Sequence, residues 1–123
     1  AVSGADVRRL LRASYSEHVP ITETMITAYQ RPLRVRGTYA ALRHLGRSYP
    51  DGDLTPLLRR VTCPVTLVWG AQDRVTPVRA ALEMLTALPA TDLLILPGVG
   101  HLPQEERPRQ VADHLEQFLA RRP

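Results

Sequence analysis

Apolar residues recur along this chain with two periods, and the period changes near residue 61. In the front half the spacing is helical. Val7, Leu10, Leu11 and Tyr15 share one face of a helix, with Arg8, Arg9 and Arg12 on the other. Ser3, three residues before Asp6, predicts a capping-box start for it. Pro20 predicts the opening of a second helix, with Ile21, Met25, Ala28 and Tyr29 on one stripe and Pro32 as its stop. A third stripe runs through Val35, Tyr39, Leu42 and Leu45 up to Gly46. "YPDGD", from Tyr49 to Asp53, has the proline and the Asp-Gly pair of a turn, and a short helix is expected over residues 54–60.

Beyond Val61 the pattern becomes that of buried strands separated by helices. "PVTLVWG" is a short, nearly continuous apolar run ended by glycine, as expected of a strand covered on both faces. Thr76 and Pro77 predict a helix start, threonine as N-cap and proline in the first turn. Val78, Ala81, Leu82, Leu85 and Leu88 form its buried stripe, and Pro89 stops it. "DLLILPG", residues 92–98, predicts the second strand. Pro108 opens a last helix with Val111, Leu115, Phe118 and Leu119 facing inward. Glu105 and Glu106 near its start, and Arg121 and Arg122 at its end, suit the helix dipole.

The order strand, helix, strand, helix makes the two strands parallel, because a crossover helix returns the chain to the same edge of the sheet. Two parallel strands do not make a stable sheet by themselves. The sequence is therefore expected to be the tail of a larger α/β protein, and Ala1 in first position leaves truncation or processing open.

Composition narrows the class. The apolar fraction of 44% over 123 residues suits a folded domain with a core, and no apolar run approaches a membrane span. One cysteine, Cys63, excludes an internal disulfide and a multi-thiolate metal site. Its place just before an apolar strand predicts a small buried residue. Every cation is arginine, and the net charge is +4. Ten of the arginines lie within residues 1–60, so the front half is the part that would attract an anionic substrate. No aromatic-interleaved basic motif accompanies them, which argues against nucleic-acid binding. No membrane association is expected, and a cytoplasmic location is the working expectation.

Candidate chemistry lies where the two strands end. In open parallel sheets, functional groups collect beyond the carboxyl ends of the strands. The first strand is followed by "WGAQDRVTP", with Asp73; the second by "PGVGH", with His101. Both loops open on the same side, so a carboxylate and an imidazole can meet there. A carboxylate bonded to one ring nitrogen fixes the tautomer, leaving the other nitrogen to take a proton from a nucleophile or water. Glycines on either side of Val99 allow a turn tight enough to aim the ring. Each residue alone also has a plainer reading, Asp73 as a turn acid and His101 as a packed core residue.

Together these stretches, "CPVTLVWGAQDRVTP" and "LLILPGVGHLPQEERP", resemble the C-terminal end of the α/β-hydrolase superfamily. The resemblance is carried by Gly70, Asp73, Gly100, His101, Glu106 and Pro108. It implies an α/β fold: two parallel strands with flanking helices over residues 61–123, as the C-terminal part of the core, and a helical cap or lid over residues 1–60. It implies Asp73 as the acid of a catalytic triad and His101 as its base.

It further implies esterase-like hydrolysis of a small-molecule substrate and no cofactor; Val75 and Leu102, adjacent to the pair, are expected to line the substrate pocket, with ordinary loop packing as the plainer reading. Glu106 is expected to support the last helix and the loop before it, and His18, His44 and His114 to play no part. Tyr15, Tyr29, Tyr39 and Tyr49 are expected to pack rather than to bind substrate. Asp73 and His101 are too few ligands for a metal.

One departure is large. The family's G-x-S-x-G nucleophile turn is absent, and none of Ser3, Ser14, Ser16 or Ser48 stands in that frame. The expected partner is the missing N-terminal half of the fold, in cis or from another chain. The alternatives are an epoxide or haloalkane hydrolase with an upstream aspartate nucleophile, or a non-catalytic interaction module.

Overall fold

The structure is a computed structural model that describes residues 2–48 and 52–121. Tyr49, Pro50 and Asp51 of the expected turn, and Arg122, lie outside the described residues. In chain order the elements are α1 (Gly4–Ser14), α2 (Glu23–Leu33), α3 (Thr38–Ser48), α4 (Thr55–Leu58), β1 (Val65–Gly70), α5 (Arg79–Leu85), β2 (Thr91–Leu96), α6 (Pro103–Glu106) and α7 (Pro108–Ala120). The chain divides into two compact units. One comprises Ala1–Arg12 and Pro20–Asp53, the other Ala13–Val19 and Leu54–Pro123.

The first unit is helical. Its opening helix starts as the sequence predicts, on a reciprocal cap. The Ser3 hydroxyl oxygen accepts the Asp6 amide at 3.1 Å, and the Asp6 carboxylate accepts from the Ser3 amide at 3.0 Å and the Ser3 hydroxyl at 2.6 Å. Val7 and Leu11 of this helix, with Ile21 and Ile26, are the unit's buried apolar residues. Arg8 donates to the Ile21 carbonyl at 3.3 Å and pairs with Glu23.

The second helix begins three residues later than Pro20 suggests. Thr22, extended at φ −90° and ψ 160°, caps it by accepting from the Met25 amide, so Pro20 lies outside. Pro32 falls inside the last turn rather than ending it. The third helix runs past Gly46 to Ser48, and Val35, Tyr39, Leu42 and Leu45 are exposed rather than packed.

The cap of α1 has a pH consequence. Hydrogen bonds from the Ser3 hydroxyl and then the Ser3 amide, with Arg9 beside them, hold the Asp6 carboxyl below its ordinary value. A carboxyl depressed in the folded state stabilises it fully above the unfolded pKa, and that contribution is lost as pH falls through the folded pKa. Helical ellipticity of the wild type is therefore expected to fray below about pH 4. Asp6→Asn should remove that acid limb; an unchanged acid titration in the variant would contradict the capping role.

The second unit contains the sheet. β1 and β2 pair in parallel, in a register running from Val65 opposite Thr91 to Gly70 opposite Leu96. Pairing continues past the strands, since the Ala71 amide donates to the Leu96 carbonyl at 2.9 Å and the Gln72 amide to the Val99 carbonyl at 2.8 Å. Leu96, Val99 and Val111 form the buried core, with Val68 and Leu94 packed against it. β1 is half-buried from Val65 to Trp69 rather than covered on both faces, and among the described residues the sheet has two strands.

Several expected positions move. α5 starts at Arg79, not at Pro77, because the backbone of Val75 and Thr76 is committed elsewhere. Glu105 and Glu106 belong to a separate one-turn helix, α6, ahead of α7. Leu82, Leu115 and Leu119 are exposed. His114 is half-buried with its ring nitrogen 2.7 Å from the Thr66 hydroxyl, rather than on an open helix surface. Cys63 is exposed, because it stands in the turn before Pro64, ahead of the first residue of β1.

Candidate active site

The loop after β1 is built around one carboxylate. The Asp73 amide closes a turn on the Gly70 carbonyl at 3.2 Å, and Oδ1 of Asp73 accepts the amides of Val75 and Thr76, each at 2.8 Å. Aspartate readily bonds backbone amides just ahead of it, and here it does so twice. The Thr76 carbonyl is taken by the Trp69 indole N–H at 2.8 Å. An N-cap at Thr76 would need that carbonyl for the Ala80 amide, which bonds the Pro77 carbonyl instead at 2.9 Å, and the helix starts late.

The second carboxylate oxygen, Oδ2, lies 2.8 Å from Nδ1 of His101. The Asp73 side chain is 4% exposed and that of His101 is 37% exposed. An ionised carboxylate only accepts hydrogen bonds, so a neutral ring in this contact donates through Nδ1 and has its lone pair on Nε2.

The loop after β2 brings the ring there. Gly98 adopts φ +69°, a left-handed conformation suited to glycine, and Val99 is fully buried. Gly100 is required for a different reason. A Cβ there would lie 2.5 Å from the Ser14 carbonyl oxygen and 2.8 Å from the Ser16 amide nitrogen. Gly70 stands likewise against this loop, with a Cβ position 2.0 Å from the Gly100 carbonyl oxygen and 2.4 Å from that of Val99. The two sheet-end loops thus touch backbone to backbone.

Residues 14–17 bind both loops. The His101 amide donates to the Ser14 carbonyl at 2.6 Å. Oε1 of Glu106 accepts from the Gly100 amide at 2.9 Å and from the Ser16 amide at 3.2 Å. The Tyr15 hydroxyl donates to Glu105. On the other side, Arg74 donates to the Tyr15 carbonyl at 3.0 Å and lies 3.7 Å from Glu17. The part played by residues 14–17 and Arg74 was not legible from the sequence, where Tyr15 reads as the end of a helical stripe and Ser14, Ser16 and Arg74 carry no motif. The one visible signal was Glu106 at a fixed distance after His101.

The remaining expected site residues are less engaged. Val75 is 47% exposed beside Asp73, and Leu102 is half-buried at the start of α6. A cavity of about 300 Å³ opens on the Asp73 side of the pair, lined by Ser16, Glu17, Gln72, Asp73 and Arg74, so neither Val75 nor Leu102 borders it. His44 lies on α3 near Ser48. Among the described residues no three His, Cys, Asp or Glu side chains converge as a metal site, and no helix is long and apolar enough to cross a membrane.

Comparison with known proteins follows the same lines. The uncharacterized hydrolase YugF of Bacillus subtilis (strain 168) is 34% identical over 100 residues, 80% of this chain and 36% of YugF. The pimeloyl-[acyl-carrier protein] methyl ester esterase of Chromobacterium violaceum is 33% identical over 70 residues, 54% of this chain and 28% of the esterase. The chain thus spans about a third of the length of these relatives. Among solved structures, the serine hydrolase CarC, involved in carbazole degradation, superposes with a TM-score of 0.87. It covers 99% of this chain and 49% of CarC at 22% identity, which speaks for the fold. Residues 3–114 match the family described as the alpha/beta hydrolase family. A parallel strand pair with flanking helices, carrying an acid and a histidine on adjoining loops, fits part of that fold, and the chain belongs to the alpha/beta hydrolase family.

Proposed function

We propose that this chain supplies the acid and the base of a hydrolytic triad that cleaves a small ester-like substrate. The observation that carries the reading is the 2.8 Å contact from Nδ1 of His101 to Oδ2 of Asp73, with the other carboxylate oxygen held by two amides. Such a pair fixes the neutral tautomer and stabilises the imidazolium once Nε2 has taken a proton. The nucleophile in this reading is a serine outside the 123 residues, in cis or on another chain. Its support is the absence of a G-x-S-x-G frame here and the greater length of the relatives.

His101 Nε2 removes the hydroxyl proton as the serine oxygen attacks the carbonyl carbon, then returns it to the departing alcohol, leaving an acyl ester. Water, deprotonated by the same nitrogen, releases the acid and restores the serine. We assign Val75 and Leu102, the apolar neighbours of the pair, to substrate contact. Residues 1–60 take the part of a helical cap, and residues 61–123 that of the C-terminal core. The ester class is favoured by the esterase among the relatives.

A phosphonate probe that esterifies activated serines tests this on protein carrying these residues together with their upstream region. One serine outside residues 1–123 is expected to be labelled stoichiometrically. Labelling of Ser3, Ser14, Ser16 or Ser48 would contradict the assignment. Absence of labelling, with ¹⁸O from water appearing in an upstream aspartate, would replace serine by an aspartate nucleophile and ester cleavage by epoxide or haloalkane opening.

A further inference from the structure

We infer that Glu106 is a positioning residue for His101, acting through the backbone of the turn rather than on the substrate; this rests on the reading of His101 as the base. A single oxygen of Glu106 accepts from two amides in different segments, Gly100 in the turn and Ser16 in residues 14–17. The Gly100 amide immediately precedes His101 in the chain, and the His101 amide is itself held by the Ser14 carbonyl. The peptide units on both sides of Gly100 are therefore tied to the same short segment. The imidazole is aimed by these backbone bonds together with its one bond to Asp73.

A plainer role for Glu106, a surface acid complementing a helix dipole, fits the structure less well. Its second oxygen, Oε2, is buried and lacks a hydrogen-bond partner among the described residues, where a surface acid would be solvated. α6 is four residues long, so its dipole is small. Charge-assisted bonds to amides are stronger than neutral ones, and they compensate for burying the carboxylate only while both amides stay in place. Glu105, the adjacent acid, engages the Tyr15 hydroxyl and fastens the same segment from its side chain. Two consecutive acids thus hold residues 15 and 16 against the histidine turn.

The test compares Glu106→Ala with Glu106→Gln, which keeps one carbonyl oxygen able to accept both amides. In protein that includes the upstream region, Glu106→Ala is expected to lower kcat on a nitrophenyl ester about 100-fold with KM within about threefold, the loss typical of a misplaced catalytic group. Glu106→Gln should recover most of that loss. A second readout needs no turnover. The Nδ1 proton of His101, followed by NMR of the ring nitrogens, should be protected from exchange in the wild type and the glutamine variant and lost in the alanine variant.

An alanine variant that keeps both kcat and the protected proton, or that loses only thermal stability, overturns the inference. So does a glutamine variant that falls as far as alanine. If the wild type turns over no ester, the catalytic reading fails, while the ring proton still decides the role of Glu106.

Discussion

Asp73→Asn is expected to lower kcat for ester hydrolysis by about four orders of magnitude while leaving the fold intact. The reasoning comes from what surrounds the side chain. The Val75 and Thr76 amides both point at Oδ1, and each needs an acceptor. Asparagine satisfies them only by turning its carbonyl oxygen toward them, which places its NH₂ group against Nδ1 of His101. That nitrogen must then accept rather than donate, so the ring proton moves to Nε2 and the base has no lone pair for the nucleophile. His101→Ala should be equally damaging, since it removes the base itself. Steady-state kinetics checks both, and NMR assignment of the ring tautomer checks Asp73→Asn. Turnover of Asp73→Asn within tenfold of wild type would refute the orienting role.

Gly70→Ala is expected to be the most damaging single methyl group in the described structure. Its Cβ would sit 2.0 Å from one backbone oxygen and 2.4 Å from another, and neither can move as a side chain would. Overpacking against fixed atoms costs roughly 3 kcal/mol or more, and relief requires the β1 and His101 loops to separate. Thermal unfolding should show the loss, and ester turnover should fall with it below the melting transition. Gly46→Ala is the control. That glycine lies in α3 with nothing within 4 Å of the added carbon, so alanine should raise stability by up to about 1 kcal/mol. A Gly70 variant as stable as the Gly46 variant would show that the loops do not depend on this contact.

The parts of the candidate site that depend on local chemistry were legible in the sequence. Strand grammar followed by glycine marks both loops, and the parallel crossover places Asp73 and His101 on one side of the sheet. Local rules also located the cap at Ser3. They failed where a tertiary bond competes with them. Thr76 and Pro77 have the form of a helix start, yet the Trp69 indole takes the Thr76 carbonyl that the first helical bond would use. Apolar spacing marked Leu42, Leu115 and Leu119 as interior positions, but periodicity records which residues share a face and not whether anything covers it. Residues 14–17 were invisible because their contribution is mostly backbone carbonyls and amides, which every sequence has.

The solitary thiol has a practical use that follows from where the sheet puts it. Cys63 is exposed just ahead of β1, whereas the acid and the imidazole stand beyond the opposite ends of the strands. At about 3.3 Å of rise per residue, the length of β1 separates them by on the order of 20 Å. A maleimide dye attached there would be remote enough to spare the chemistry and near enough for energy transfer to a labelled inhibitor. Within these 123 residues Cys63 is the one sulfhydryl, so a dye placed there reports from a single known position.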